Sequence, residues 1–173
     1  MTYALVAIVA LVAAILGFAL TRPDAFRIER SILIAAPAER IQPLIADFRS
    51  WRNWSPWENK DPGMSRTLSG AEAGIGAAYA WEGNKDIGAG RMEILESSPQ
   101  RILIKLDFLR PFEAHNRAEF TLTPEGTGTR VTWAMSGPQP FIGKLMSLVF
   151  SLERMVGPDF ETGLASLKRR AEA

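Results

Sequence analysis

The stretch RILIKLDFL, Arg101 to Leu109, sets Ile102, Ile104, Leu106 and Phe108 in one phase and Leu103, Lys105, Asp107 and Leu109 in the other. A period of two is the mark of a strand with one face turned to a core. The same alternation returns twice downstream. Asn116 to Leu122 sets Ala118, Phe120 and Leu122 against Arg117, Glu119 and Thr121, and Arg130 to Ser136 sets Val131, Trp133 and Met135 against Thr132, Ala134 and Ser136. The connections are short, as in Pro124-Glu125-Gly126-Thr127-Gly128, so these strands pair antiparallel as a meander.

Upstream, Arg91 to Glu96 and Gly76 to Trp81 read as two more strands, with a turn at Glu82-Gly83-Asn84-Lys85, and Met64 to Ser69 is a weaker candidate. Phe26 to Ile34 alternates Phe26, Ile28, Ile32 and Ile34 in one phase and opens the domain. Ala36-Pro37-Ala38-Glu39 turns the chain into a short helix with Leu44, Ile45 and Phe48 as its apolar side and Pro43 limiting its length. After Pro140 the period becomes helical. Phe141 to Val156 is rich in Phe, Leu, Met and Val, a break is expected at Gly157-Pro158, and Asp159 starts a second run with Phe160, Leu164 and Leu167 on one face and Gly163 placed for close approach. Strand, short helices, meander and long terminal helix make an α+β domain, with a curved antiparallel sheet wrapped around the terminal helix.

Residues 1–21 are of another kind. From Tyr3 to Leu20 there is no charged residue, and these eighteen positions reach about 27 Å as a helix, close to a hydrocarbon core of about 30 Å. No lysine or arginine precedes the run and Phe18-Ala19-Leu20-Thr21 is a poor cleavage site, so an uncleaved transmembrane anchor is expected rather than a signal peptide. Residues 22–25 form a linker containing Pro23, and residues 26–173 form one domain. Arg22, Arg27, Arg30 and Arg40 follow the span, which by the positive-inside tendency places a single-pass protein in the cell membrane with its domain in the cytoplasm.

Composition closes several routes. There is no cysteine, and His115 is the single histidine. Thiolate chemistry, disulfides, histidine triads and the common zinc sites therefore lack their residues, and neither metal nor cofactor is expected. Twenty basic residues balance nineteen acidic ones and are scattered, which argues against nucleic acid as a partner. The glycines at Gly70, Gly74, Gly76, Gly83, Gly88 and Gly90 lie between strands, as turn residues rather than a phosphate loop.

Several strings resemble the START-like, helix-grip SRPBCC superfamily, and within it the polyketide cyclase/dehydrase-like branch. They are Ala36-Pro37-Ala38-Glu39, Trp51-Arg52-Asn53-Trp54-Ser55-Pro56-Trp57, Trp81-Glu82-Gly83-Asn84-Lys85, Gly88-Ala89-Gly90-Arg91-Met92 and Gly157-Pro158-Asp159-Phe160-Glu161. The resemblance implies an apolar cavity between sheet and terminal helix, suited to a lipid, sterol, polyketide or other hydrophobic small molecule. It implies no single activity, because the superfamily holds carriers, sensors and enzymes.

On that basis the cavity candidates are Trp57, Trp81, Met92, Ile104, Leu106, Phe108, Phe120, Trp133, Met135, Phe160 and Leu164. The same alternation would serve a solid core equally well. Trp51, Trp54 and Trp57, three apart, are either an aromatic wall at the mouth or a cap on the core. Arg30 shares the phase of Ile28 and Ile32 and is a candidate anchor for a ligand carboxylate or phosphate. The expected function is a membrane-anchored binding protein for a hydrophobic small molecule or lipid. The alternatives are a cyclase- or dehydratase-like enzyme, for which Asp107, Glu119, His115 and Arg30 are the nameable acid–base groups, and a membrane-associated interaction module. The Phe141 to Val156 segment reads either as an interfacial helix or lid, or as packing for the sheet.

Overall fold

The computed structural model describes Thr2–Ala173. Helix α1, Thr2–Leu20, is followed by strand β1, Ala25–Ile34, helix α2, Ala38–Ala46, a 3-10 turn at Phe48–Asn53 and the one-turn helix α3, Trp57–Lys60. Strands β2, Ser65–Gly70, β3, Ala77–Glu82, β4, Ala89–Ser97, β5, Arg101–Arg110, β6, Ala114–Glu125, and β7, Gly128–Pro138, come next. Helices α4, Phe141–Met146, and α5, Leu152–Glu172, end the chain.

All seven strands form one antiparallel sheet in the order β1-β7-β6-β5-β4-β3-β2. The meander from β2 to β7 is the one the alternation predicts, and β1 closes it by pairing with β7, Ala25 opposite Pro138 and Ile34 opposite Thr129. Helix α5 packs along β1 and across the concave face. Its inward residues Phe160, Leu164 and Leu167 are buried, as the helical period requires. Gly163 lets α5 approach the sheet, since a side chain there would meet the Trp133 ring and Pro56.

The helical ending differs from expectation. The predicted break at Gly157-Pro158 does not occur, and α5 runs straight through both residues. The chain instead turns at residues 147–151, and Ser151 caps α5 by accepting the Arg154 N–H. Pro158 lies in the second turn, where it removes one backbone donor without ending the helix. At Gly157 the Arg30 guanidinium lies in the space a Cβ would fill.

Helix α1 stands apart. It is apolar on all sides, and of its residues only Ala19 is buried. By length and composition it is able to cross a membrane. α4 packs on it, and Lys144 donates to Asp24 in the linker at 2.5 Å.

Candidate functional site

A cavity of about 210 Å³ lies between the sheet, α3 and the first half of α5. Its sheet wall is Tyr79 and Trp81 from β3, Met92 from β4, Leu106 and Phe108 from β5, Ala118 from β6 and Trp133 and Met135 from β7. Trp51, Trp57 and Met64 close one side, and Val156 and Phe160 of α5 close the other. Ile87 and Asp86, in the β3–β4 loop, complete the rim. The wall is therefore almost wholly apolar, with few polar groups, as in small-molecule sites generally.

Trp133 organises the back of this space. Its ring stacks on Phe160 with centroids 4.3 Å apart and planes 3° from parallel, and on Phe120 at 4.9 Å. Trp57 meets it edge-on at 5.4 Å. Although Trp133 is only 2% exposed, its indole Nε1–H has no hydrogen-bond partner. It is the single such side-chain atom among the described residues. The Cζ3 edge of the ring faces Gly163, so the N–H, on the other side of the indole, points away from that part of α5. A buried donor without an acceptor costs about 1–3 kcal/mol.

A second polar feature is set into the wall. Glu58, on α3, is 8% exposed; it accepts from the Tyr79 hydroxyl at 2.8 Å and from Arg66 Nε at 2.7 Å. Burial, then the hydrogen bond to this carboxylate, pushes the Tyr79 hydroxyl well above its ordinary range, so it remains a donor.

These elements match the family described as polyketide cyclase/dehydrase and lipid transport, across residues 25–172. The chain belongs to this family. None of the curated proteins matches it in sequence. Among solved structures, protein CV1439 from Chromobacterium violaceum is similar at 17% identity and a TM-score of 0.60, over 88% of this chain and 99% of that one. A protein from Thermobifida fusca is 22% identical with a TM-score of 0.58, over 84% and 92%. The di-domain ARO/CYC StfQ from the steffimycin biosynthetic pathway is 13% identical with a TM-score of 0.63; the match spans 86% of this chain and 51% of StfQ. At these identities the likeness is one of fold. Together with the curved sheet and long terminal helix, it makes the domain a helix-grip member of the polyketide cyclase/dehydrase and lipid-transport family.

Within the family's fold, eight of the eleven cavity candidates line the space: Trp57, Trp81, Met92, Leu106, Phe108, Trp133, Met135 and Phe160. Ile104, Phe120 and Leu164 do not. They lie deeper, at 0 to 1% exposure, in the solid core. Trp51 and Trp54 cap that core, their indole N–H groups donating to Ile45 O and Leu44 O at 2.9 Å, while Trp57 faces the cavity. The sequence reading passed over Ala118, Tyr79 and Glu58. Tyr79 carried a signal, since it shares the phase of Ala77 and Trp81 on β3. Glu58 carried none.

Arg30 is not part of the lining. Its guanidinium bridges β1 to α5, with Nε 2.7 Å from Glu161 and Nη1 2.5 Å from Glu153. Asp107, Glu119 and His115 also lie outside the cavity. Asp107 is 1% exposed because three cationic or polar groups cover it: His115 Nδ1 at 2.9 Å, Arg91 Nε at 3.0 Å and Lys105 Nζ at 3.1 Å. Burial pushes this carboxyl up, but the hydrogen bonds outweigh it and hold it down at about 2. Arg101, helped by Arg27, likewise holds Glu119 below its ordinary value. These groups staple strands together. Among the described residues no cluster of three histidines or carboxylates is placed to hold a metal.

Proposed function

We propose that the protein binds a hydrophobic small molecule or lipid, and does so at a membrane that α1 crosses. The observation that carries this reading is the cavity itself, about 210 Å³ in volume and walled almost wholly by apolar side chains, with the Tyr79–Glu58 pair set into the wall. Apolar walls supply affinity at roughly 25 cal/mol per Å² buried, before ordering costs. The few polar groups of the wall, the Tyr79–Glu58 pair among them, supply orientation. A space of about 210 Å³ is below the range of about 300–1,000 Å³ usual for drug-sized ligands, so it suits a compact molecule or one end of a longer one. The family's description, polyketide cyclase/dehydrase and lipid transport, supports a ligand of this class.

The membrane half of the proposal is supported by the nineteen-residue apolar helix α1 and the basic residues Arg22 and Arg27 that follow it, which favour a cytoplasmic domain. The test is native mass spectrometry of the full chain released from detergent micelles. Wild type is expected to carry one defined apolar compound, and Ala118→Leu, which fills the cavity, to lose it. Identical spectra for the two would sink the reading.

A second reading, acid–base turnover of a bound carbonyl compound, is favoured by the Glu58–Tyr79 pair in the wall. It predicts that the compound is recovered chemically altered by wild type and unaltered by Tyr79→Phe.

A further inference from the structure

The strand register gathers one end of the sheet around the point where α1 leaves. Ala25 lies opposite Pro138, Glu82 opposite Ala89, Ala89 opposite Arg110 and Phe108 opposite Ala114. The start of β1, the β3–β4 loop, the β5–β6 hairpin and the exit from β7 into α4 therefore share that end.

Large apolar side chains stand free there. Phe112, in the β5–β6 hairpin, is 79% exposed. Ile142 on α4, Val149 in the following turn and Met155 in the first turn of α5 are 73%, 78% and 63% exposed. At the opposite end Ile75, in the β2–β3 connection, is 64% exposed, and Leu33, Leu68 and Leu95 on the strands that run to that end are less so, at 39%, 50% and 38%. Scattered exposed apolar residues are ordinary, but a group gathered at one end marks a contact surface.

Continuity with α1 identifies what covers it. That helix is apolar all round and is able to span a membrane; its last turn buries Ala19, α4 packs on it, and the Lys144–Asp24 pair fastens α4 to the linker. The exposed group thus begins where the span ends, at the depth of the bilayer interface. The cavity lining residues that retain exposed surface, Trp57 apart, lie toward the same end: Phe108, Val156, Trp81 near the end of β3 and Asp86 in the β3–β4 loop.

We infer that α4, residues 147–151 and the β5–β6 hairpin form a rim that inserts into the interfacial layer of the bilayer, so that the cavity mouth faces lipid and the ligand enters from the membrane rather than from water. The inference rests on the reading of α1 as a span. The rim is amphipathic: Lys144 turns in to Asp24, while Ile142 and Met146 stay outside.

The chain has no native cysteine, so single labels report one site each. Leu11→Cys, Phe112→Cys, Val149→Cys and Ile75→Cys variants of the full chain would carry a bimane fluorophore in phosphatidylcholine vesicles. Quenching is read with two lipids, one bearing a nitroxide near the headgroup end of its acyl chain for Phe112, Val149 and Ile75, and one bearing it near the methyl end for Leu11, which lies at the middle of the span. The expected result is severalfold stronger quenching at Leu11, Phe112 and Val149 than at Ile75. Quenching at Leu11 with Phe112 or Val149 at the level of Ile75 overturns the rim and leaves the span standing. No quenching at Leu11 overturns the span itself, and the rim with it.

Discussion

The two halves of the concave face are built from the same strands by the same alternation, yet one is solid and the other hollow. Toward the end remote from α1, Ile94, Ile102, Ile104, Phe120, Leu122 and Val131 meet Leu164 and Leu167 of α5 with 0 to 1% exposure. Two or four residues further along the same strands, Met92, Leu106, Phe108, Ala118 and Met135 border a cavity of about 210 Å³. Trp133 stands at the boundary, stacked on Phe120 of the solid half and lining the hollow one. Inward placement follows from strand period; filling does not. At Ala118 a methyl group stands where Phe120 and Leu122 follow with large side chains, and the Glu58–Tyr79 pair falls on the hollow side.

That contrast breaks first under truncation. Phe120→Ala removes a fully buried ring from a filled layer and is expected to cost about 3–5 kcal/mol. Met92→Ala already borders empty space, forfeits fewer contacts and is expected to cost about 2 kcal/mol or less. Denaturant unfolding of the full chain in micelles, followed by tryptophan fluorescence, measures both. Equal losses would mean that the hollow half closes up in solution. Next in size is the polar wall. Arg66→Met leaves the Glu58 carboxylate buried without its cation, and breaking such a pair is expected to cost about 3 kcal/mol. Tyr79→Phe removes one hydrogen bond to the same carboxylate, worth about 1.5–3 kcal/mol.

The same contrast explains what could be read from the chain. All seven strands are legible, because period two survives in Arg101 to Leu109 whatever packs against it. Depth is not, so Ile104, Phe120 and Leu164 are indistinguishable in sequence from Leu106, Met135 and Phe160. Glu58 escapes because its role arises from α3 meeting β2 and β3, a contact between segments that no local pattern encodes. Arg30 misleads for a related reason. Its phase on β1 is inward, but at that position the inner face meets α5, whose Glu153 and Glu161 take the guanidinium. The break expected at Gly157-Pro158 does not form: α5 runs from Leu152 to Glu172 through both residues, with Pro158 removing one backbone donor inside it.

A smaller effect separates the inner from the outer face. Asp107 belongs to the outer surface of β5, and its carboxyl is held down at about 2, against an ordinary value of 3.8. Because the folded value is depressed, the stabilisation is present above about pH 4 and is lost as pH falls toward about 2. Asp107→Asn is expected to flatten the dependence of unfolding on pH in that window. An unchanged acid limb would show that other carboxylates carry it.

The smallest expected change in stability is the most discriminating between the two ends of the sheet. Phe112→Ser and Val149→Ser at the α1 end, and Ile75→Ser at the remote end, replace side chains that the folded domain leaves 79%, 78% and 64% exposed. Surface substitutions that remove no packing stay within about 0.5 kcal/mol, so all three variants should unfold with wild type in micelles. A loss of 2 kcal/mol or so at Val149, which is the size of a core truncation, would mean that residues 147–151 fold back onto the domain and serve its own packing. Neutrality at all three positions means that folding does not require apolar residues at either end. Since they are nonetheless gathered at the end where α1 departs, their use must lie in a contact made outside the domain. Burial in lipid, beside the apolar helix α1, is the contact we infer for Phe112 and Val149.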